Sequence, residues 1–261
     1  MVGLGTWRTF DVAGEAAREA LARCVATFHA LGGRLIDSSP MYGRAEAVVG
    51  DIVSQLGLRH QLLLATKVWT TGKARGVDQM RDSMRKLRVE QVDLMQVHNL
   101  VDTAAHLDTL RRWKTEGLVR YIGVTHYAAS AHAEVARVLR SEPLDFVQIN
   151  YSVAEREAER TILPLAADRG VAVIVNRPFA TGSALGPLRR SAVPPWAAEI
   201  GCATWPQLLL KFVVSHAAVT CAIPATGNEA HLRENMESGV GPMPDERMRE
   251  RIAHEASRVG G

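Results

Sequence analysis

Short apolar runs alternate with amphipathic stretches along the whole chain. Residues 62–66 read Leu-Leu-Leu-Ala-Thr, and a continuous run of this kind is typical of a strand buried on both faces of a parallel sheet. Between such runs, apolar residues recur at steps of three and four, which predicts amphipathic helices. The first of these helices contains Ala17, Ala20, Cys24, Phe28 and Leu31. The pattern therefore predicts strands that alternate with helices.

The alternation contains eight predicted strands, which start near residues 3, 35, 63, 93, 120, 146, 172 and 219. Repeats of strand then helix require parallel pairing with right-handed crossovers. Eight repeats without a linker-like interruption predict an α/β fold of the (β/α)₈ TIM-barrel type, as one domain over residues 1–261. A doubly wound sheet is disfavoured, because residues 2–7 do not continue as the Gly-x-Gly-x-x-Gly turn that such a fold would place after its first strand.

Two further stretches bear on the helices and loops. The apolar spacing predicts helices over residues 77–87, 129–139 and 156–169. Residues 181–203 are rich in Gly, Pro and Ser, and we predict an irregular segment there that is mobile or inserted.

Polar side chains follow six consecutive strands, and a barrel brings these strand ends to one face. They are Asp37 and Tyr42, Lys67, His98, Thr125 and His126, Gln148 and Asn150, and Asn176 and Arg177. Taken singly, each has an ordinary explanation, since an Asp after a strand caps turns and helices and a lone Lys is usually solvated. Their shared position at one mouth predicts an active site.

Four of these residues could form a proton-donor system. Tyr42 is a weak acid with an ordinary pKa of about 10. We expect the Lys67 ammonium to lower the pKa of Tyr42, and Asp37 to pair with Lys67 and keep it charged. His98, as a neutral donor, would orient the substrate oxygen and polarise it. No metal is expected, because the histidines and cysteines show no ligand spacing.

Asp37, Tyr42, Lys67 and His98 resemble the catalytic tetrad of the aldo-keto reductases. The resemblance extends to phrases in the family's order over nearly the whole chain. These are Gly3-Leu4-Gly5-Thr6-Trp7, Ile36-Asp37-Ser38-Ser39-Pro40-Met41-Tyr42-Gly43, Ala65-Thr66-Lys67, Gln96-Val97-His98, Gly117-Leu118-Val119-Arg120-Tyr121-Ile122-Gly123-Val124, Gln148-Ile149-Asn150-Tyr151, Ile223-Pro224-Ala225-Thr226 and Glu234-Asn235.

The resemblance implies an oxidoreductase that reduces aldehydes or ketones to alcohols by hydride transfer from NADPH or NADH. Tyr42 would be the general acid, tuned by Lys67 and Asp37, and His98 would orient the carbonyl. NADP(H) is the favoured cofactor by family habit, and NAD(H) is possible. The expected substrate is a small molecule, and a monomer is the family default, with assembly left open.

The resemblance also assigns the cofactor site residue by residue. Thr125, His126 and Gln148 match positions that hold the carboxamide, and Asn176 stands where many members place an aromatic ring. Arg177 would reach the pyrophosphate. The segment after the last strand supplies Thr226, Asn228, His231, Arg233, Glu234 and Asn235. In that segment Ala225 and His231 occupy places where members that clamp the 2′-phosphate often have Lys and Arg.

Two alternatives stay open at the level of sequence. One is a dinucleotide-binding regulatory or channel-associated subunit of the same fold with little turnover. The other is a different barrel enzyme that uses Lys67 as a Schiff-base amine.

Composition limits the class of protein and its expected location in the cell. The chain is 47% hydrophobic and 23% charged, and it lacks an apolar run of the roughly 20 residues that a membrane span needs. Its start does not read as a secretory signal, and Cys24, Cys202 and Cys221 read as reduced core thiols, so we expect a cytoplasmic protein. The formal charge of +3 comes without a basic run, which argues against nucleic acid.

Overall fold

A computed structural model describes residues 1–260, and its eight parallel strands form one sheet in chain order. This confirms the prediction of a (β/α)₈ fold and all eight predicted strands. The strands are β1 (Leu4–Gly5), β2 (Leu35–Asp37), β3 (Leu63–Val68), β4 (Val92–His98), β5 (Val119–His126), β6 (Phe146–Asn150), β7 (Ala172–Asn176) and β8 (Cys221–Ala222).

Backbone contacts between the first and last strands close this sheet into a barrel. The N–H of Gly3 donates to the carbonyl of Ala222 at 2.8 Å, and the N–H of Gly5 donates to the carbonyl of Pro224 at 3.0 Å. A side chain at position 5 would not fit, because its Cβ would lie 2.7 Å from the carbonyl oxygen of Ile223. The glycine at position 5 therefore permits the close approach that joins the two edges.

Helices cover the outside of the barrel. They are α1 (Glu15–Ala30), α2 (Ala45–Gln55), α3 (Lys73–Leu87), α4 (Thr103–Thr115), α5 (His132–Ser141), α6 (Ile162–Asp168), α7 (Trp205–Val214), α8 (Glu229–Glu237) and α9 (Glu246–Gly260). Within residues 1–260, no helix is long and apolar enough to cross a membrane.

Helix α6 is shorter than the predicted helix over residues 156–169. A 3₁₀ turn occupies Glu157–Arg160, and the α-helix begins only at Ile162. Pro164 accounts for the late start, because proline lacks an N–H and is tolerated in the first turn of a helix but not in its interior.

The barrel interior is layered. Its lower part is apolar and contains Leu35, Ala65, Leu94, Phe146, Ile174, Cys221 and Ile223. Because side chains alternate along a strand, the next inward positions on β2, β3 and β4 are Asp37, Lys67 and Gln96. All three are buried. A polar layer therefore rests on an apolar floor at the carboxyl ends of the strands.

The segment over residues 181–203 is irregular, as predicted, and it is built from short turns. It contains the 3₁₀ turns Pro187–Arg190 and Pro195–Ile200, and a further turn, Ala180–Gly182, overlaps its start. Leu188, Ala197 and Ile200 are buried in the core. Through these apolar side chains the segment packs against the rest of the core.

Candidate active site

A buried ion pair lies at the centre of the polar layer. The Nζ of Lys67, at the end of β3, donates to Oδ2 of Asp37 at 2.7 Å and to the carbonyl of Ser38 at 2.6 Å. The two side chains are 1% and 3% exposed. Burial opposes the ammonium form, but the charges of Asp37 and Tyr42 more than offset this and raise the pKa of Lys67. Lys67 is therefore a permanent cation at neutral pH.

Tyr42 stands on the loop that follows β2 and faces this pair. The Nζ of Lys67 lies 5.2 Å from the centroid of the phenol ring. The prediction that Lys67 lowers the pKa of Tyr42 below its ordinary value is wrong. Burial raises the pKa of Tyr42, and the positive charge of Lys67 reduces that rise without reversing it. The phenol is therefore protonated at neutral pH, which is the state of a proton donor.

His98 ends β4 and lines the same cavity as Tyr42. Burial and the nearby positive charge of Lys67 lower the pKa of His98 to about 3. The imidazole is therefore neutral in the physiological range and can offer one N–H as a hydrogen-bond donor.

Asp37 has two further partners, and one of them was missed from the sequence. The side-chain amide of Gln148 donates to Oδ1 of Asp37 at 2.8 Å, and the amide of Gln96 donates to the same oxygen at 3.0 Å. Gln96 lies two residues before His98 on β4. The alternation of inward positions was the signal that could have identified it.

A cavity of about 1460 Å³ opens above this layer. Asp37, Tyr42 and His98 line it, whereas Lys67 lies beneath its surface and is fully buried. The predicted cofactor residues that line the cavity are Thr125, Gln148, Asn176, Arg177, Thr226, His231, Glu234 and Asn235. The fold thus brings eight predicted cofactor residues and three members of the predicted tetrad to the lining of one cavity.

Three residues predicted for the cofactor do not line this cavity. The ring of His126 stacks on that of Tyr127, with 5.4 Å between the ring centroids. Asn228 is the N-cap of α8, and its Oδ1 accepts from the N–H groups of Ala230 and His231. Arg233 is exposed and pairs with Glu229 at 2.7 Å. Each of these side chains already has a local partner.

Asn176 and Arg177 lie at the carboxyl end of β7, on the cavity wall. The amide of Asn176 donates to the carbonyl of His126 at 3.2 Å. Arg177 donates to the carbonyl of Tyr127 at 2.9 Å and lies 3.5 Å from the carboxylate of Glu155. Arg177 is held at the mouth by these contacts.

The far wall of the cavity comes from residues that the sequence did not single out. Phe179, Leu188, Thr204 and Trp205 line it, and the indole N–H of Trp205 donates to the carbonyl of Ser191 at 3.0 Å. Leu188 belongs to the segment that was predicted to be irregular, Phe179 precedes that segment, and Thr204 and Trp205 are the N-cap and the first residue of α7. Composition alone did not indicate that this segment forms a wall.

The cavity fits a nicotinamide dinucleotide in size and chemistry. Pockets for single small molecules hold about 300–1,000 Å³, and the space here is larger at about 1460 Å³. Its wall carries the hydroxyls of Thr125 and Thr226 and the guanidinium of Arg177, which suit a carboxamide, a ribose and a phosphate. Among residues 1–260, no group of three or more His, Cys, Asp or Glu side chains is arranged to hold a metal ion.

Comparisons with known proteins agree on one family. The model described as the Aldo/keto reductase family matches residues 1–255. Aldo-keto reductase YhdN of Bacillus subtilis (strain 168) is 29% identical over 203 residues, which cover 71% of this chain but only 60% of that protein. The NADH-specific methylglyoxal reductase of Escherichia coli (strain K12) is 26% identical, over 74% of this chain and 68% of that protein.

The fold has a close counterpart among solved structures. An aldo-keto reductase from Klebsiella pneumoniae, in complex with NADPH, superposes with a TM-score of 0.83 at 25% identity. The match covers 98% of this chain and 90% of that one.

Proposed function

Because the chain belongs to the aldo/keto reductase family and is thereby an NAD(P)H-dependent oxidoreductase, we propose that it reduces aldehydes or ketones to alcohols. The observation that carries the proposal is the arrangement at the cavity floor. There Tyr42, His98 and Asp37 line the space, and Lys67 is buried beneath it and paired with Asp37.

Tyr42 is the proposed general acid. Reduction of a carbonyl needs a proton at oxygen as hydride reaches carbon, and a phenol that is protonated at neutral pH can supply it. The Lys67 ammonium stabilises the phenolate that remains, because an opposite charge nearby favours the ionised form. Asp37 keeps Lys67 charged and fixes its position.

His98 is proposed to hold the substrate oxygen. A neutral imidazole donates a hydrogen bond to a carbonyl oxygen without competing with Tyr42 as an acid, since the pKa of His98 is about 3. This bond strengthens as negative charge develops on the oxygen, and a donor fixed in place for that charge lowers the barrier.

The hydride comes from a bound nicotinamide cofactor, because no protein side chain supplies one. The residues that would hold the cofactor are the cavity-lining set, Thr125, Gln148, Asn176, Arg177, Thr226, His231, Glu234 and Asn235. We favour NADPH, in line with the Klebsiella pneumoniae complex. NADH remains a cofactor to test, because one Escherichia coli relative is named NADH-specific.

The substrate is proposed to be a small aldehyde or ketone. Trp7, Met41 and Tyr127 line the mouth of the cavity and are 39–51% exposed, so they offer apolar contact to an incoming molecule. The Escherichia coli relative is named for methylglyoxal, which makes this 2-oxoaldehyde the first compound to assay.

The Schiff-base alternative finds no support at Lys67. A Schiff base forms from a neutral amine, and the Asp37 carboxylate holds Lys67 as an ammonium. The little-turnover alternative makes a different forecast, namely cofactor binding without cofactor consumption.

The experiment is an assay of the purified protein with NADPH and, separately, NADH against methylglyoxal and a panel of aldehydes, ketones and quinones. We expect oxidation of the cofactor that depends on the carbonyl compound, with the matching alcohol as product. Binding of either cofactor without turnover on any compound would contradict the proposal and favour the regulatory alternative.

A further inference from the structure

Gln96 has a polar side chain in the barrel interior that is hydrogen-bonded to Asp37 of the proposed tetrad. It lies beside Lys67 in the β3–β4 register, and its side chain is fully buried. Its amide nitrogen donates to Oδ1 of Asp37 at 3.0 Å, while Lys67 donates to Oδ2 at 2.7 Å. Gln96 and Lys67 therefore hold opposite oxygens of one carboxylate.

This placement of Gln96 has an energetic cost. Its side-chain oxygen Oε1 is buried and has no hydrogen-bond partner in the described part of the chain. An unpaired buried acceptor is destabilising, whereas an apolar side chain of the same length would carry no such penalty. The position two residues earlier on the same strand, Leu94, is apolar and faces the same interior. A glutamine here therefore calls for a reason other than packing.

We propose that Gln96 is a positioning residue for carbonyl reduction. Its amide holds the Asp37 carboxylate in the position that pairs with Lys67 and partly compensates the negative charge of that carboxylate. The inference rests on the proposed function of the site. It adds a residue that does not touch the cavity and acts only through Asp37.

The charges around Tyr42 explain how the hydrogen bond from Gln96 to Asp37 would affect the reaction. Lys67 favours the phenolate of Tyr42, and Asp37 disfavours it. Hydrogen bonds from Gln96 and Gln148 to Asp37 spread its charge, so that less of the field of Lys67 is cancelled at the phenol. Loss of the Gln96 hydrogen bond would leave the negative charge of Asp37 less compensated, and Tyr42 would then be harder to ionise.

The first test is the variant Gln96→Met, which keeps the length of the side chain and removes the amide. We expect kcat to fall roughly ten- to a hundredfold, the factor that corresponds to a hydrogen bond to a charged group. The alkaline limb of the pH profile for reduction should move to higher pH, while cofactor affinity and the thermal midpoint stay near wild type. The matched control is Leu94→Met, which should leave kcat and the profile unchanged.

A second variant, Gln96→Glu, keeps the test decisive if Gln96→Met does not fold. Two carboxylates in contact cannot both ionise readily, and a protonated Glu can donate to Asp37 as the amide does. We expect its activity relative to wild type to recover as pH falls. Wild-type kcat in Gln96→Met, an unchanged pH profile, or an equal loss in Leu94→Met would overturn the inference. An inactive wild-type protein would instead overturn the proposed function itself.

Discussion

At the residue scale, Asp37 sets the charges of the site. Its carboxylate is 3% exposed and accepts from Lys67, Gln96 and Gln148. A buried ion pair is strongly destabilised when one partner is removed, typically by 3–5 kcal/mol, because the other charge is left unpaired. The presence of such a pair is therefore weak evidence that it serves stability. Its position beside Tyr42 is explained if the pair supports the proposed proton donor.

The low pKa of His98 predicts that this residue adds no acid limb to the pH profile of reduction between pH 5 and pH 8. A histidine with a pKa of about 3 is neutral from pH 5 to pH 8, so the rate of reduction should not fall across this range through protonation of His98. The measurement is kcat/KM for a good carbonyl substrate as a function of pH. A decline with an apparent pKa near 6.5, present in the wild type and absent in His98→Gln, would show that His98 titrates normally and would contradict its neutral state at pH 5 to pH 8.

At the element scale, strand periodicity explains what the sequence could and could not predict. Asp37, Lys67 and His98 were found because strand ends can be recognised locally and a parallel barrel gathers them. Gln96 was missed, because its importance depends on a partner 59 residues away and on a barrel interior that is not visible in a linear pattern. His126 does not line the cavity, because it follows Thr125, which does, and successive side chains on a strand alternate between its two faces.

Helix α7 depends on its N-cap, and the cap forms part of the cavity wall. The hydroxyl of Thr204 accepts from the N–H of Gln207 at 3.4 Å, and the side chain of Gln207 accepts from the N–H of Thr204 at 3.2 Å. We expect Thr204→Ala to lower the free energy of unfolding by about 0.5–2 kcal/mol. Denaturant unfolding measures this, with Thr204→Ser as the control that keeps the hydroxyl. Equal stability of all three proteins would exclude a capping role.

At the scale of the whole molecule, the last helix is tied to the barrel through a buried network. Arg249 of α9 donates to the hydroxyl of Tyr151 at 2.5 Å and pairs with Glu159 at 2.8 Å. Tyr151 follows β6, so the network connects the C-terminal helix to the barrel wall. Burial together with the bond to Glu159 outweighs the charge of Arg249 and raises the pKa of Tyr151, which keeps this phenol protonated. Tyr151 therefore acts as a structural tie, in contrast to Tyr42.

The overall architecture could be predicted because eight repeats of one local pattern admit few topologies. The far wall of the cavity could not be predicted, since residues 181–203 lack a periodic pattern and form short turns whose packing depends on the finished barrel. The same limit applies to cofactor choice. The cavity-lining residues near the last strand are Thr226, His231, Glu234 and Asn235, and this set contains no Lys or Arg that would decide for the 2′-phosphate of NADPH.

Cofactor binding should stabilise the whole molecule. A ligand at a hundredfold excess over its Kd adds about 2.7 kcal/mol, which corresponds to a rise in Tm of roughly 5–10 °C for a chain of this size. We expect NADPH to raise Tm, with a smaller rise for NADH at the same concentration. A larger rise with NADH would reverse the cofactor preference, and no rise with either would contradict a dinucleotide site.

The most direct test of the central claim compares the wild type with Tyr42→Phe, which removes only the phenolic hydroxyl. The account predicts that kcat/KM for carbonyl reduction falls by about 10²–10⁴-fold, the usual contribution of a general acid. The Kd for NADPH should stay unchanged, because Tyr42 belongs to the reacting end of the cavity. A Tyr42→Phe protein that binds NADPH and reduces the same carbonyl compound at the wild-type rate would contradict the account.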